Sequence, residues 1–189
     1  MLRVDGLGKR YGSRWIFRRL SFELESGQVL TILGANGSGK STLLSIIAGL
    51  VPKTEGALEV PPLVDVGYAA LAGELYADLT VAEHLKLTAD LRGCQQRTDD
   101  LLNQVGLAYA ADYPAGTLSS GMRARLKLAI ATQAEPQLLI LDEPSAGLDH
   151  EGRAIVTQIV ADQIRRGAVL LATNDPEERK LATHELELA

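Results

Sequence analysis

Continuous apolar runs alternate with amphipathic segments at both ends of the chain. QVLTILG, QLLILDE and AVLLAT are largely apolar, as are strands that are buried on both faces of a parallel sheet. STLLSIIAGL and EGRAIVTQIVADQIRRG carry apolar residues at helical spacing, and the second predicted helix ends in basic residues and Gly167. The alternation of strand and helix predicts an α/β fold with a parallel-sheet core.

The beginning of the chain has a different pattern. RVDGL and LSFELESGQ predict antiparallel strands around a turn at Tyr11 to Ser13, since the second alternates apolar and polar residues from Leu20 to Glu25. GALEVPPLVDVGYA predicts two strand fragments separated by Pro61 and Pro62. These segments indicate an N-terminal antiparallel β subdomain.

From Thr80 to Thr132 the pattern is helical. TVAEHLKLTADL begins with Thr80 three residues before Glu83, which is the spacing of a capping box, and RTDDLLNQVG continues the helical pattern. We expect His84, inside the first of these helices, to be a surface or packing residue. The whole pattern predicts one domain over residues 1–189. Its core and β subdomain occupy about 1–79 and 133–189, and an inserted α-helical subdomain occupies 80–132.

Composition narrows the class of protein. The chain has 189 residues, 46% of them hydrophobic, and a net charge of -5 with basic residues distributed along it, so we expect no nucleic-acid partner. The single Cys94 can form neither an internal disulfide nor a cysteine metal cluster. No stretch has the pattern of a signal peptide or the roughly 18 apolar residues of a membrane helix. We therefore expect a cytoplasmic chain whose membrane role, if it has one, comes through a partner.

The strongest chemical signal is GANGSGKST, which fits the phosphate-loop pattern G-x-x-x-x-G-K-[ST] between a predicted strand and a predicted helix. Glycines there let backbone N–H groups surround phosphate oxygens, and the helix N-terminus adds a favourable dipole. Lys40 is expected to neutralise the β and γ phosphates and Ser41 to offer its hydroxyl to Mg²⁺. The predicted nucleotide-binding residues of this loop are Gly34, Asn36, Gly37, Ser38, Gly39, Lys40, Ser41 and Thr42. The alternative interpretation is a glycine turn without a ligand.

LLILDEP supplies a second group of candidates. Asp142 ends a predicted buried strand, where open α/β sheets place their ligands, and is expected to complete the Mg²⁺ shell. Glu143 follows it and is expected to polarise the water that attacks the γ phosphate. The two adjacent carboxylates are also compatible with a helix-capping turn.

Two further motifs carry a family resemblance. LSSGMRARLKLAIAT, at 118–132, resembles the signature motif L-S-G-G-Q of ATP-binding cassette (ABC) transporters, and SAGLD, Ser145 to Asp149, resembles their D-loop. With the phosphate loop and LLILDEP in the family's order, the chain resembles the ATP-binding subunit of such a transporter essentially from end to end. The resemblance implies a P-loop NTPase core, ATP and Mg²⁺ as ligands, and a dimer around ATP.

The resemblance also assigns residues outside the phosphate loop. Ser119 and Gly121 match positions that contact the γ phosphate of ATP held by the opposite subunit, although Ser120 and Met122 replace the usual glycine and glutamine. Tyr11, supported by Ile16, matches the aromatic position that stacks on adenine. For Tyr11 the alternative is a tyrosine packed at a hairpin turn.

The chain departs from the family at two positions. Leu71 stands where a glutamine usually links Mg²⁺ and the attacking water to the transmembrane partner. Asn174, in the sequence Thr173, Asn174, Asp175, stands where a histidine usually contacts the γ phosphate. An amide donates a hydrogen bond but cannot take a charge. The apolar run AVLLAT stops at Asn174, and a strand end followed by turn-forming residues is a sufficient explanation for that.

These features support two functions. The first is an ATPase motor, a homodimer or a heterodimer with a second ABC ATPase, that drives a transmembrane permease subunit at the cytoplasmic face of a membrane. The second is an ATP-dependent clamp or regulatory subunit with little turnover, because both departures remove groups that assist hydrolysis. Glu143 favours the motor. The surface from Leu71 to Tyr76 and the helical segment are expected to select the partner.

Overall fold

The computed structural model describes residues 2–70 and 73–188. Its strands are β1 (Leu2–Tyr11), β2 (Arg14–Leu24), β3 (Val29–Leu33), β4 (Glu55–Glu59), β5 (Val66–Ala70), β6 (Leu138–Asp142), β7 (Ala168–Ala172) and β8 (His184–Glu187). Its helices are α1 (Lys40–Ile47), α2 (Val81–Arg92), α3 (Thr98–Gln104), α4 (Ser120–Thr132), α5 (His150–Gln163) and α6 (Pro176–Arg179). Short 3₁₀ turns lie at Leu63–Asp65, Ala108–Ala110 and Ala115–Thr117.

Five strands form a parallel sheet in the order β5-β6-β7-β3-β8. All residues of β6 and β7 are buried, which is why these segments are apolar without alternation. Their side chains point to opposite faces in turn, so that Ile140 packs with α1 and Leu141 with α2, α4 and α5. Helices cover both faces of the sheet, and the predicted α/β fold is confirmed.

A second sheet, in the order β2-β1-β4, is antiparallel. Its hairpin turns at Gly12 and Ser13, as predicted, but the strands are longer than the sequence indicates, since β1 pairs with β2 from Leu2↔Leu24 to Tyr11↔Arg14. Pro61 and Pro62 separate β4 from β5, and the intervening turn moves the chain from one sheet to the other. The sheet packs on α1, since Leu7 and Phe17 share its apolar cluster.

The capping box at α2 is present. Thr80 Oγ1 accepts a hydrogen bond from the backbone N–H of Glu83 at 3.1 Å, and the Thr80 N–H donates to Glu83 Oε2 at 2.8 Å. His84 is buried, and its Nε2 accepts from the backbone N–H of Tyr76 at 3.1 Å. Its Nδ1 lies 2.8 Å from the carbonyl oxygen of Thr80, so Nδ1 carries the proton. Of the two expected alternatives, a surface or a packing residue, the structure shows His84 as a packing residue.

Two boundaries differ from the sequence prediction. Helix α5 ends at Gln163, so Arg165 and Arg166 lie beyond it in the turn toward β7. The turn closes where the Gly167 N–H donates to Gln163 O at 2.9 Å, and a Cβ at Gly167 would lie 2.3 Å from Gln137 O. The break after β7 also begins a short helix, because Asp175 caps α6 and Pro176 occupies its first turn.

Among the helices of the described residues, none combines the length and apolar character needed to cross a bilayer.

Candidate functional site

The phosphate loop connects β3 to α1 at the C-terminal edge of the parallel sheet. Gly34 has φ 148°, and a Cβ there would lie 2.6 Å from both Leu188 O and Ser38 Oγ. Gly39 has φ 104°, and a Cβ there would lie 2.5 Å from Ile16 Cγ2. Both positions combine a left-handed backbone with close neighbours, so each requires glycine.

Helix α1 begins at this loop without a side-chain cap, because Gly39 is its N-cap residue. The N–H groups of its first turn therefore point toward the space above the loop, together with the positive end of the helix dipole. Ser41 is exposed in this first turn and Thr42 is half-buried. The arrangement suits a phosphate group.

Lys40 is buried against the loop that it follows. Its side chain is 7% exposed, and its Nζ donates to the carbonyl oxygen of Gly34 at 2.7 Å. Nζ also lies 3.9 Å from Glu143 Oε1. Loop carbonyls and a carboxylate thus hold the ammonium between the phosphate loop and the end of β6.

Asp142 ends β6 between Ala70 of β5 and Ala172 of β7. Its side chain is buried, and within the described part of the chain its Oδ1 has no hydrogen-bond partner. An unsatisfied buried carboxylate oxygen is costly, since removal from water is not offset by a donor. A divalent cation bound here would satisfy this oxygen, so the site fits the Mg²⁺ that the sequence analysis expects.

Glu143 follows in a left-handed conformation, with φ 50°. This costs about 1–3 kcal/mol for a residue with a side chain and persists only where neighbours hold it. The Glu143 N–H donates to Ala172 O at 2.8 Å, and the Ala146 N–H donates to Glu143 O at 3.0 Å. The turn directs the Glu143 carboxylate toward Lys40 and away from a regular continuation of β6.

Burial raises the pKa of the Glu143 carboxyl above its ordinary value. The backbone N–H of Asn174 and the ammonium of Lys40 oppose this shift, whereas the nearby Glu178 and Asp142 add to it. A carboxylate with a raised pKa is a stronger base, which suits a group that takes a proton from water.

Asn174 lies after β7, beside the phosphate loop and Glu143. In one orientation of the carboxamide, its Nδ2 donates to Asn36 Oδ1 at 3.2 Å and to Glu143 Oε1 at 3.4 Å. In the opposite orientation, Nδ2 donates to Gly34 O at 3.0 Å and Oδ1 accepts from Lys40 Nζ at 3.2 Å. The second orientation is favoured because the first turns an N–H₂ group toward an ammonium. In both, Asn174 lies beside the phosphate loop.

The signature and D-loop residues form a separate surface. Ser119 caps α4 and accepts from the Met122 N–H at 3.2 Å, and Asp149 caps α5 and accepts from the Gly152 N–H at 2.8 Å. Ser119, Gly121 and Asp149 line one open depression of about 550 Å³, and no phosphate-loop residue lines it. The predicted site residues therefore fall into two groups on one chain.

Tyr11 and Ile16 lie at the hairpin of the antiparallel sheet. Ile16 reaches the phosphate loop at Gly39. Tyr11 is 53% exposed, and the Nζ of Lys9 lies 4.5 Å from its ring centroid. An exposed ring is not part of the core, and stacking of Tyr11 on adenine stays a prediction. Leu71 lies outside the described residues.

Several residues near the carboxylates were not found from sequence. Arg123 and Lys127 of α4 line a cavity of about 200 Å³ together with Asp142 and Glu143. Glu178 of α6 is buried, and its Oε1 accepts from the Ser145 N–H at 3.1 Å. Arg153 of α5 forms an ion pair with Asp175. Only the family spacing of the signature relative to LLILDEP could have indicated Arg123 and Lys127, and no motif marks the others.

Known proteins resemble the chain in sequence and in fold. The family described as ABC transporter matches residues 17–146, more than half of the chain. The lantibiotic transport ATP-binding protein SrtF of Streptococcus pyogenes is 33% identical over 182 residues, which cover 92% of this chain and 80% of that protein.

A second relative, the zinc import ATP-binding protein ZnuC of Yersinia pestis, is 33% identical over 180 residues, 93% of this chain and 70% of that protein. A solved dimeric ATP-binding cassette, in a post-hydrolysis state with ADP and Pi, superposes with a TM-score of 0.92 at 22% identity. The match covers 100% of this chain and 94% of that one, and at this identity it shows the fold. The chain therefore belongs to the ABC transporter family and is an ATP-binding subunit with ATPase activity.

Proposed function

We propose that the chain is the motor subunit of a transporter, and that two copies, or one copy and a related ATPase, close around two ATP molecules. The observation that carries this proposal is the separation of the site into two groups. Lys40, Asp142, Glu143 and Asn174 converge at the phosphate loop, whereas Ser119 and Gly121 line an open surface apart from it. A second chain can bring its own Ser119 surface to the phosphates and complete the site.

In this proposal each residue has a defined task. The phosphate loop binds the β and γ phosphates through its backbone N–H groups, and Lys40 exchanges loop carbonyls for phosphate oxygens. Glu143 accepts a proton as the water oxygen bonds to the γ phosphorus and the bond to the ADP oxygen breaks. Asn174 lies beside Lys40 and the phosphate loop and supplies a carboxamide there.

Ser41 and Asp142 are the residues that would hold Mg²⁺. Ser41 is exposed at the start of α1, and Asp142 is buried at the end of β6, where its Oδ1 has no hydrogen-bond partner among the described residues. When bound, the ion neutralises phosphate charge. The protein groups around it orient the nucleotide and exclude bulk water.

A groove beside the inserted helices is the proposed docking site for the transmembrane partner. It has a volume of about 220 Å³ and is lined by Leu75, Tyr76 and Leu91, among others. Tyr76 and Leu91 are 68% and 77% exposed, which is unusual for large apolar side chains and typical of interaction sites. Ala70 and Lys127 line both this groove and the cavity of Asp142 and Glu143, so a partner seated here would lie close to the carboxylates.

The remaining assignments follow from the same arrangement. We infer that about 1–79 and 133–189 form the core and the β subdomain, and that 80–132 form the helical subdomain, which carries the signature motif. The chain is then held at the cytoplasmic face of a membrane through its permease. The names of the two relatives specify different cargoes, so cargo is a property of the partner.

A clamp with little turnover is the second candidate, and the observation that favours it is Asn174. The amide contacts Glu143 or Lys40, but it cannot supply the charge that an imidazole would. Glu143 argues for the motor, because its strained backbone and raised pKa are features of a working base.

ATP turnover by the purified chain, measured beside Glu143→Gln, separates these functions. The motor predicts measurable hydrolysis by the parent and at least a roughly 100-fold loss in Glu143→Gln, which keeps the shape but not the base. ATP binding should persist in the variant. Dimerisation on ATP without turnover by the parent would instead support the clamp, and loss of ATP binding in Lys40→Ala is the matched control for the site itself.

A further inference from the structure

Glu178 is a buried carboxylate that has no task in the proposed reaction. It lies in α6, where only 5% of the residue is exposed, and its Oε1 accepts a hydrogen bond from the Ser145 N–H at 3.1 Å. Ser145 is the second residue after Glu143 and the first of the D-loop segment. A buried carboxylate is costly unless its oxygens are hydrogen-bonded, so this contact offsets part of that cost.

The bond to Ser145 adds to a turn that needs support. Glu143 has φ 50°, and such a conformation is kept only where surrounding contacts determine it. Two backbone bonds, from Glu143 N–H to Ala172 O and from Ala146 N–H to Glu143 O, fix the start and the end of the turn. The Glu178 side chain holds the Ser145 peptide, which lies between these two backbone bonds.

Helix α6 is also attached to Asn174. The Asp175 N–H donates to Thr173 Oγ1 at 2.9 Å, and the Glu177 N–H donates to Asp175 Oδ1 at 2.8 Å, so the helix begins in a fixed relation to the end of β7. Asn174 lies inside this stretch and contacts Glu143 or Lys40. The segment from Ala172 to Glu178 therefore contacts the segment from Glu143 to Ser145 at both of its ends, since Ala172 O accepts from the Glu143 N–H and Glu178 Oε1 accepts from the Ser145 N–H.

We propose that Glu178 is a positioning residue, whose carboxylate fixes the Ser145 peptide and, through it, the placement of Glu143 and of the D-loop. This inference rests on the proposed function, in which Glu143 acts as the base and the D-loop faces a second subunit. It gives α6 a task in catalysis through the contact of Glu178 with the D-loop.

Three variants separate positioning from simple packing. Glu178→Met removes the acceptor but fills a similar volume, and Glu178→Gln keeps an acceptor oxygen without the charge. Glu177→Gln is the matched control, because Glu177 is an exposed residue of α6 and pairs with Lys180, the residue after the helix. Should Glu178→Met not fold, Glu178→Ala takes its place.

In ATPase assays, Glu178→Met should lower kcat about 10-fold to 100-fold and leave KM for ATP within about two-fold, since small misplacements of catalytic groups cost this much. Glu178→Gln should stay within about three-fold of the parent, and Glu177→Gln should match it. Equal losses in Glu178→Met and Glu178→Gln with a lower Tm, or a parental kcat in Glu178→Met, would overturn the proposal.

Hydrogen exchange of the ATP-free protein tests the contact without turnover. Amides of residues 143–149 should exchange faster in Glu178→Met than in the parent, while Glu178→Gln retains their protection. Unchanged exchange in Glu178→Met would overturn the proposal. A parent that binds ATP without hydrolysing it would contradict the motor function, and the exchange result would then decide by itself whether Glu178 holds the D-loop.

Discussion

At the scale of single residues, Asn174 lies beside the phosphate loop and Glu143. It lies within hydrogen-bond distance of Asn36 and of either Glu143 or Lys40, depending on the orientation of its amide. An amide stabilises a developing negative charge only through its dipole, whereas an imidazolium adds a full charge. The rate of ATP hydrolysis by this chain should therefore be limited by the lack of a charged donor at Asn174.

Replacement of Asn174 tests that limit. Asn174→His should raise kcat by at least about ten-fold, because one well-placed donor is commonly worth 100-fold to 1,000-fold. Asn174→Ala, which removes the side-chain contacts, should lower kcat below that of the parent. The measurement is steady-state ATP hydrolysis at saturating ATP. Identical rates in the parent and both variants would remove Asn174 from the active site.

The raised pKa of Glu143 predicts a pH-dependent cost in stability. The folded chain favours the protonated carboxyl, so stability is lost as pH rises from the unfolded pKa through the folded pKa, and the cost is complete above the folded pKa. Glu143→Gln should therefore have a higher Tm than the parent at neutral pH. The difference should shrink toward about pH 4, where Glu143 is protonated in the parent. A lower Tm for Glu143→Gln at neutral pH would contradict the shift.

At the scale of elements, the caps decide where the inserted helices begin. Thr80 forms both bonds of the capping box of α2, and its carbonyl oxygen accepts from the buried His84. The same residue thus orders the start of the helix and the chain at Tyr76, whose N–H donates to His84. The docking groove depends on this order because Tyr76 and His84 line it.

Thr80→Ala should lower the free energy of unfolding by about 1 kcal/mol, the usual cost of losing an N-cap acceptor. Thr80→Ser keeps the hydroxyl and should lose much less. Chemical denaturation of both variants beside the parent measures the difference. Equal stability of the Ala variant and the parent would mean that the capping box contributes nothing to the fold.

Sequence patterns predicted the elements whose signal is local. The glycines of the phosphate loop are visible in the sequence because two positions of the loop have no room for a Cβ. The buried strands are visible because they are apolar throughout. Helix α5 ends at Gln163, before the basic residues and Gly167 at which the sequence pattern predicts its end, because a turn in which the Gly167 N–H donates to Gln163 O follows the helix. The contact of Glu178 with Ser145 joins residues 33 positions apart, and no local pattern encodes it. Long-range polar contacts of this kind require the fold.

At the scale of the whole molecule, two surfaces are lined by no residue of the phosphate loop. One is the signature and D-loop depression, and the other is the apolar groove of Tyr76 and Leu91. The signature and D-loop depression suits another ATPase chain, and the apolar groove suits a membrane partner. Asp142 and Glu143, at the end of β6, lie next to both surfaces, since they share their cavity with Ser120 of one surface and Lys127 of the other.

The groove should be needed for the partner and dispensable for ATP hydrolysis. Leu91→Glu places a charge on an exposed apolar side chain and should abolish co-purification with a transmembrane protein while basal ATPase stays within about two-fold. Leu50→Glu, at another exposed leucine outside the groove, is the control. Retention of the partner by Leu91→Glu would place the docking site elsewhere.

Completion of one active site by two chains is tested most directly by mixing two inactive variants. Lys40→Ala removes the phosphate-loop cation, and Gly121→Asp places a negative charge on the signature surface at the start of α4. Neither alone should hydrolyse ATP, because each homodimer lacks one half of both sites. The mixture should recover up to about one quarter of the parental rate, since half of the dimers are mixed and each has one intact site. A mixture as inactive as its components, or a Gly121→Asp variant as active as the parent, would contradict a site shared between two chains.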